Sequence, residues 1–399
     1  MNIGKKYPIG QFKGDGFVKC FEDTIPSLDS YTKLMIHGDG IKDSTGKTVT
    51  AVGGAAVTTT QYKFNKIGRS IYLDGNGDWL TVADSDDWNF GSGDFTIDFW
   101  FRHSSLSSNG HQFYFGQNGG DTPGPHEVQC AFNESTGQIR FYIYNQGVDT
   151  AGCETVGITI NVDTWYHLAI VRNGSSSWTI YLNGTSVATD TRNITIPNYT
   201  SSFHIGNRAD ESTLEFIGYI TEFRISKGIA RWTSNFTPPT DIYGGTRSVT
   251  VVTGLNGDVD EEYKMNMFLS HCPEGNNAIL VCPNNDTASN YRYQRFYATG
   301  ASPGADSGTA TGLYSLAYAG TTTSSRGEMT LIAKTGHPRT AKTSINMLVN
   351  STTVTYVQNG STLWTDTSSN ITSLVFLTQS GYTMDVGTYL SVWKKIKST

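Results

Sequence analysis

The chain has 399 residues, a formal net charge of −6 and only 16% charged residues, with 29 Lys and Arg against 35 Asp and Glu. With no basic surplus to neutralise a phosphate backbone, we expect no nucleic-acid partner. No stretch approaches the roughly 20 apolar residues of a membrane-spanning helix, so no membrane span is expected. The 43 glycines and the many Ser, Thr and Asn residues are typical of short strands joined by tight turns.

Residues 1–30 show no regular alternation of apolar and polar positions. We predict an N-terminal arm that anchors the protein to a neighbour, with simple disorder as the alternative. The first residues include Lys5 and Lys6 but lack the apolar segment of a secretory signal, so signal-dependent export is not expected. Release by lysis inside a virus particle is another route by which a surface protein leaves the cell.

Residues 31–243 alternate with a period of two, which indicates β-strands with one buried face. The clearest runs are 95–102, 139–144 and 178–182. Asn183-Gly184 follows the last run and predicts a type I′ hairpin turn, because both residues accept positive φ. Strands of this kind pack as a two-sheet sandwich.

A boundary is predicted after the Thr-Pro-Pro-Thr run that ends at Thr240. Residues 244–248 are interpreted as a linker and 249–399 as a second sandwich. In this part, Asn359-Gly360 predicts another hairpin turn, between strands 353–357 and 361–364. The predicted fold class is therefore all-β, with two tandem antiparallel β-sandwich (jelly-roll) domains behind an N-terminal arm.

The five cysteines are odd in number and sparse. For Cys272 and Cys282, two buried thiols in a protein assembled in a reducing cytoplasm are favoured. A Cys272–Cys282 bridge across a hairpin is the alternative.

Four segments in residues 31–243 resemble the laminin-G-like, concanavalin A-like jelly-roll family. They are 63–80, 93–100, 165–184 and 218–239. The resemblance implies a lectin-type sandwich that binds sugars on a sheet face or on rim loops. Some relatives carry an acidic residue, used for a structural calcium, after the Gly-Tyr-Ile of the closing strand. Here that position is Thr221, with Glu222 next, which puts such a calcium in doubt.

Residues 228–239 also resemble versions of this domain in phage and environmental bacterial proteins. Segments 255–263, 283–292 and 388–394 resemble a β-sandwich domain of phage virion proteins. These resemblances imply a virion context.

Aromatic and arginine side chains lie on the partly polar faces of the predicted strands. Aromatic rings stack on sugar faces, and arginine and amide groups bond to sugar hydroxyls. The alternative is that these rings pack under a loop, another domain or another subunit. The candidate carbohydrate-binding residues are Trp100, Arg140, Tyr142, Tyr144, Tyr166, Arg172 and Tyr181.

Two acidic segments place oxygen ligands at every second residue, as calcium loops do. The alternatives are a Gly-rich turn for the first and a solvated acidic loop for the second. The candidate Ca2+ ligands are Asp74, Asn76 and Asp78 in the first segment and Asn256, Asp258, Asp260 and Glu262 in the second.

The catalytic pattern of the glucanases that share this broad fold is absent from the sequence. Glucanases of this broad fold carry Glu-x-Asp-x-x-Glu on one strand, and that pattern does not occur. No phosphate loop occurs either. His167 is interpreted as a core histidine, and we expect no enzymatic activity.

The sequence thus predicts a phage virion surface protein, assembled in the host cytoplasm and exposed on the particle. It would be a capsid decoration protein, head fibre or tail fibre that binds a host or environmental glycan. The predicted partners are capsid or tail proteins, contacted through the arm, and further copies of the chain, with a trimer favoured. A bacterial surface adhesin and a polysaccharide-degrading jelly-roll enzyme are the alternatives.

Overall fold

The chain divides into two compact units. A computed structural model describes residues 17–24, 27–106, 110–119, 127–145, 148–208, 214–245, 249–270, 272, 277–299, 302–320, 323–349, 353–378, 384–385 and 387–395. One unit is Leu28–Gly245, and the other combines Met1–Ser27 with Thr246–Thr399. The division thus falls inside the predicted linker, and the two units are called the N-terminal and C-terminal units below.

The N-terminal unit is built from short strands and one turn of 3-10 helix, Asp86–Trp88. Its strands are β2 (Thr32–Ile36), β3 (Val49–Val52), β4 (Ala56–Thr58), β5 (Ser70–Leu73), β6 (Trp79–Val82), β7 (Phe95–His103), β8 (His111–Asn118), β9 (Glu127–Asn133), β10 (Gln138–Asn145), β11 (Val148–Glu154), β12 (Tyr166–Asn173), β13 (Ser177–Leu182), β14 (Thr185–Asp190), β15 (Phe203–Ile205) and β16 (Gly218–Lys227).

Among its described residues, the C-terminal unit is also β-structure, apart from one short helix, α1 (Gly257–Asp260). Its strands are β1 (Phe17–Thr24), β17 (Val249–Thr253), β18 (Glu262–Leu269), β19 (Asn277–Pro283), β20 (Tyr291–Thr299), β21 (Ser302–Ala310), β22 (Leu313–Ala319), β23 (Thr323–Ile332), β24 (Arg339–Val349), β25 (Thr353–Trp364), β26 (Ser373–Thr378) and β27 (Tyr389–Lys395).

Two antiparallel sheets form the N-terminal unit in the residues that the structure describes. The seven-stranded sheet has the order β11-β10-β9-β8-β15-β6-β3. The eight-stranded sheet has the order β14-β13-β12-β7-β16-β5-β4, with β2 paired to β16. Their inner faces enclose an aromatic-rich core that includes Phe99, Phe115 and Phe223. The alternation of strand residues therefore produces the predicted jelly-roll sandwich.

A buried histidine joins the two sheets of this sandwich. His103 of β7 is fully buried and contacts two residues of β8, with Nδ1 3.0 Å from Gln112 Oε1 and Nε2 3.0 Å from the Tyr114 hydroxyl. Burial lowers the pKa of His103 to about 4. The ring is thus neutral near pH 7, donating to the amide and accepting from the hydroxyl.

The C-terminal unit is a second sandwich with sheets of unequal width. Its eight-stranded sheet has the order β1-β27-β18-β23-β24-β25-β20-β21, and its four-stranded sheet has the order β17-β26-β19-β22. Its core, which includes Tyr263, Leu316 and Phe376, lies between them. The all-β fold class is thus confirmed.

Residues 17–24 differ from the predicted arm. They form β1, an edge strand paired antiparallel with β27. The register shifts between Lys19 and Phe21, and this irregularity interrupts the alternation that would have marked a strand in the sequence. The arm prediction is therefore corrected for these residues, while 1–16 lie outside the described residues.

Of the two predicted Asn-Gly turns, one is confirmed and one is wrong. Asn183 and Gly184 have φ of 49° and 78° and join β13 to β14. Asn359 and Gly360 instead lie within β25, a single strand of 12 residues that pairs with β24 and β20 along its length. Neighbouring strands on both sides override the local turn preference.

All five cysteines are described and are free, and Cys272 and Cys282 are buried thiols, the interpretation favoured for this pair. A helix long and apolar enough to cross a membrane is not found among the described residues.

Candidate functional site

The outer face of the seven-stranded sheet carries a cleft of about 220 Å3. Three adjacent strands supply most of its lining, because alternate residues of each strand point away from the core. Leu214 and Arg208, from the segments flanking 209–213, line it as well. The strand residues are His111 and Phe113 of β8, Gln129 and Ala131 of β9, and Arg140, Tyr142 and Tyr144 of β10.

The strand register places these side chains in rows across the sheet. Arg140 lies opposite Ala131, which lies opposite Phe113. Tyr142 lies opposite Gln129, which lies opposite Gly116. The small residues Ala131 and Gly116 stand next to longer side chains, which leaves a depression in the pleated surface.

One end of the cleft is an ion-paired arginine beside a histidine. Arg140 Nε lies 3.0 Å from Glu154 Oε1, and the Tyr142 hydroxyl donates to the same carboxylate. Arg140 NH1 also lies 3.3 Å from His111 Nε2. Burial, followed by the nearby Arg140 charge, lowers the pKa of His111, so Nε2 is an acceptor at neutral pH.

A second arginine lies over the aromatic floor of the cleft. The Arg208 guanidinium carbon is 5.4 Å from the centroid of the Phe113 ring, and Arg208 Nε is 3.6 Å from Glu127 Oε2. The ring face and the carboxylate together hold the guanidinium at the edge of the cleft.

Gln129 provides an acceptor that the protein itself does not satisfy. The residue is only 8% exposed, and its Oε1 is buried. This oxygen nevertheless has no hydrogen-bond partner among the described residues. Leaving such an acceptor unpaired costs on the order of 1–3 kcal/mol. A hydroxyl or amide donor of a bound ligand would recover that free energy.

The rings of Tyr142 and Tyr144 form an aromatic surface beside this acceptor. Their centroids are 5.7 Å apart, and both side chains are partly exposed. The Tyr199 hydroxyl donates to the Tyr144 carbonyl at 3.0 Å, which ties this strand to a neighbouring loop. The structure therefore brings together three of the predicted carbohydrate-binding residues, Arg140, Tyr142 and Tyr144.

The other four candidates belong to the eight-stranded sheet and are buried. Trp100 is 5% exposed and Tyr181 is 3% exposed. Tyr166 faces the interior and stacks on Phe101 with centroids 5.6 Å apart. Arg172 donates to the carbonyls of Gly91, Gly174, Ser175 and Ile194 and is fully buried. These four side chains support the fold and are not available to a ligand.

A strap formed by residues 228–243 covers the outer face of the eight-stranded sheet. Trp232 and Phe236 of the strap stack with centroids 4.0 Å apart and an interplanar angle of 6°. They pack, with Ala230, against the outward-facing Ala169, Val171 and Tyr181. The alternative to sugar binding for these aromatic positions was packing under a loop. The structure shows this packing at Tyr181.

Charged side chains are buried under the strap. Arg224 Nε and NH2 lie 2.9 and 3.1 Å from the two Asp98 oxygens, His167 Nε2 lies 3.4 Å from Asp98, and the Tyr243 hydroxyl donates to it. Burial would raise the pKa of Asp98, but Arg224 and His167 outweigh it and lower the pKa to about 2. His167 is thus a core histidine, as predicted.

The acidic residue next to Thr221 joins a second buried pair. Glu222 Oε1 lies 2.8 Å from His37 Nδ1, and the Tyr243 backbone N–H donates to Oε2 at 2.7 Å. Burial raises the pKa of Glu222, against the opposing effect of His37. Both oxygens are occupied by the protein.

The first predicted calcium segment is a turn held by its own carboxylates. Asp78 accepts from the backbone N–H groups of Gly54 and Asp74, the latter at 3.1 Å. Asp74 accepts from the Asn76 N–H at 2.8 Å. The side chains serve as turn formers, the stated alternative to calcium binding.

The second predicted calcium segment includes α1, and its carboxylates form ion pairs and hydrogen bonds within the protein. Asp260 accepts from the Asn256 N–H at 3.1 Å and the Tyr263 hydroxyl at 2.8 Å, and lies 3.2 Å from Lys394 Nζ. Asp258 accepts from the Thr335 N–H at 2.8 Å, and Glu262 lies 3.3 Å from Lys395. In the part of the chain that the structure describes, no group of three or more His, Cys, Asp or Glu is arranged around a metal position.

The geometry of the N-terminal unit is that of a two-sheet jelly-roll sandwich, and part of this unit is similar to a known family. Residues 74–231 match the model of the Concanavalin A-like lectin/glucanases superfamily (Laminin_G_3). No curated protein matches the sequence.

Solved structures resemble the fold at low identity. Domain 4 of AbnA, a GH43 extracellular arabinanase from Geobacillus stearothermophilus in complex with arabinotriose, is 18% identical, with a TM-score of 0.39, over 52% of this chain and 95% of that chain. The binding domain of Paraclostridial Mosquitocidal Protein 1 is 14% identical, with a TM-score of 0.40, over 80% and 81%. The Ruminococcus gnavus IT-sialidase CBM40 bound to α2,3 sialyllactose is 13% identical, with a TM-score of 0.35, over 41% and 91%.

Sequence analysis missed the β8, β9 and Arg208 side chains of the cleft. A signal was present in β9, where Glu127, Gln129 and Ala131 alternate with the apolar Val128 and Cys130. In β8 the register shift between Phe113 and Phe115 obscures the alternation. Arg208 follows a three-residue strand and has no periodic pattern around it.

Proposed function

We propose that this protein is a non-enzymatic glycan-binding protein and that its jelly-roll domain binds a carbohydrate in the cleft over β8, β9 and β10. The observation that carries the proposal is the buried, unpartnered Gln129 oxygen next to the adjoining rings of Tyr142 and Tyr144. A sugar presents an apolar ring face and a rim of hydroxyls, which match an aromatic surface and a buried amide acceptor.

The two arginines of the cleft add donors in fixed positions. Arg140 is held by Glu154 and Arg208 by Glu127 and Phe113, so both guanidinium groups are oriented before a ligand arrives. Preorganised groups lose less conformational entropy on binding. Sugar hydroxyls or a sugar carboxylate would bond to these guanidinium groups.

The carboxylates of the cleft support binding rather than hydrolysis. A glycosidase directs two carboxyl groups at one scissile bond, one as acid and the other as nucleophile or base. Here Glu154 and Glu127 each lie against an arginine. We therefore propose that the bound glycan is released unchanged.

Binding of a glycan array by the full chain tests the cleft. We expect Tyr142→Ala and Gln129→Ala to weaken binding about 10-fold, since loss of stacking or of the amide acceptor costs on the order of 1 kcal/mol or more. Tyr62→Ala is the matched control, because Tyr62 is 40% exposed and lies outside the cleft. Absence of any retained glycan, or an equal loss in the control, would reject the proposal.

We further propose that the protein acts on the surface of a phage particle as a decoration protein, head fibre or tail fibre. The support is the resemblance of residues 228–239 and of the C-terminal unit to phage proteins. The N-terminal segment would contact capsid or tail proteins, and three copies would associate. The protein would assemble in the host cytoplasm.

Mass spectrometry of purified particles with copy-number determination tests this location. A high copy number supports decoration of the head, and a few copies support a tail or vertex fibre. Absence from the particle would overturn the virion role and favour a bacterial adhesin. Light scattering of the purified chain tests the trimer.

A further inference from the structure

The outer face of the eight-stranded sheet in the C-terminal unit contains a groove of about 450 Å3. It runs over β23, β24 and β25. The side chains that line it and carry the argument are Glu328, Thr330, Lys342, Ser344, Asn359 and Ser361.

The groove follows from the order of side-chain sizes across the strands. Glu328 pairs with Ser344, which pairs with Asn359, and the next row is Thr330, Lys342 and Ser361. Short serine side chains thus stand between longer ones on a surface that is otherwise evenly pleated.

The polar groups of the groove are available to a ligand. Within the part of the chain that the structure describes, none of the six side chains makes a hydrogen bond or an ion pair, including the neighbouring Glu328 and Lys342. The N-terminal cleft differs, because its arginines are paired with carboxylates.

An exposed aromatic ring stands at the edge of the groove. Phe296 of β20 lies opposite Asn359 and is 64% exposed, more than Tyr31 at 45% or Tyr62 at 40%. An isolated exposed aromatic needs no explanation, but one that borders a groove of unpaired polar groups fits a ligand with an apolar face.

The strand that carries Phe296 is held rigidly from its other face. Arg295 Nε and NH2 lie 2.6 and 2.7 Å from the two Asp306 oxygens, which joins β20 to β21. The same guanidinium carbon lies 4.9 Å from the Tyr314 ring centroid and 5.2 Å from that of Tyr297. These contacts hold the backbone of β20 next to Phe296 before a ligand binds.

We propose that this groove is a second carbohydrate-binding site, with Phe296 as its stacking surface. Its hydroxyl and amide groups, its balanced Glu328 and Lys342, and its single ring match a neutral oligosaccharide. Strands are about 4.8 Å apart, so the four strands from β23 to β20 cover roughly 14 Å, enough for a short oligosaccharide. A protein interface core would need a larger apolar patch than one phenylalanine supplies.

The experiment uses the full chain carrying Tyr142→Ala, which separates the groove from the proposed cleft. Cellotetraose, chitotetraose and maltotetraose are the probes, and saturation-transfer NMR and titration measure binding. We expect at least one probe to bind. Phe296→Ala should weaken it about 3- to 10-fold, and Ser361→Tyr, which fills the groove, should abolish it.

Asn346→Ala is the matched control, since Asn346 is exposed on β24 outside the groove lining. Phe296 and Ser361 are both exposed, so we expect the two substitutions to leave the fold intact. Failure of all three probes to bind, or binding unaffected by Ser361→Tyr, would overturn the proposal. Ultracentrifugation supplies a second test. If the chain self-associates and Ser361→Tyr abolishes that association, the groove joins copies of this chain and the proposal is also overturned.

Discussion

Both outer faces of the jelly-roll domain carry aromatic side chains, but one face is open and the other is covered. Tyr142 and Tyr144 on the seven-stranded sheet border an open cleft, whereas Tyr181 on the eight-stranded sheet is buried under the strap. Strand alternation identifies a face that points away from the core. It does not identify whether a segment elsewhere in the chain covers that face.

The covered face therefore contributes to stability, and the open face is the one that a ligand can reach. Under the strap, polar side chains are paired and buried, as with Asp98 and Arg224. In the cleft, Gln129 retains an unpaired acceptor. Substitutions on the covered face should therefore lower stability, and those on the open face should lower ligand binding.

The largest effect is expected from Asp98→Asn, which removes a buried charge and leaves Arg224 without its counterion. Breaking a buried ion pair from one side costs about 3–5 kcal/mol of unfolding free energy. Denaturant unfolding measures it. Asp163→Asn, in a surface pair with Arg102 where Asp163 is 65% exposed, should change stability by less than about 1 kcal/mol. Equal effects of the two variants would contradict the buried role of Asp98.

Tyrosine truncation compares the two faces directly. Tyr181→Ala should destabilise the protein by about 3 kcal/mol, because it leaves a cavity under the strap. Tyr142→Ala should cost less than about 1 kcal/mol, because that ring is partly exposed. Thermal and denaturant unfolding of both variants measure the difference. If Tyr142→Ala destabilised the protein more than Tyr181→Ala, the seven-stranded sheet would carry the covered face, which contradicts the proposed binding site.

Acid should destabilise the seam between the two sheets. His103 has a folded pKa of about 4 and an unfolded value near 6.5, so the unfolded state binds more protons between these values. Its stabilising contribution is complete above about pH 6.5 and falls by about 2–4 kcal/mol as the pH drops to 4. His103→Gln should flatten the stability profile in this window. A wild-type profile that is already flat there would show that the ring is not held neutral.

The smallest effect is expected from calcium removal. The carboxylates of Asp78 and Asp260 are bonded to protein donors. Dialysis against a chelator should therefore shift the unfolding midpoint by less than about 2 °C. A larger drop that calcium restores would support the predicted calcium loops.

The sequence alone predicted the class of fold because period-two alternation and positive-φ turns are local. The run from Phe95 to Arg102 and the Asn183-Gly184 turn depend on neighbours a few residues away. The same local information identified Arg140, Tyr142 and Tyr144 as outward-facing.

Only the tertiary structure decided which outward-facing residues remain open and which strands pair over long distances. The strap places Phe236 on Tyr181, and β1 pairs with β27 from the opposite end of the chain. Pairing on both sides keeps Asn359-Gly360 extended. In each case the free energy comes from contacts between residues far apart in sequence, and no local pattern encodes such contacts.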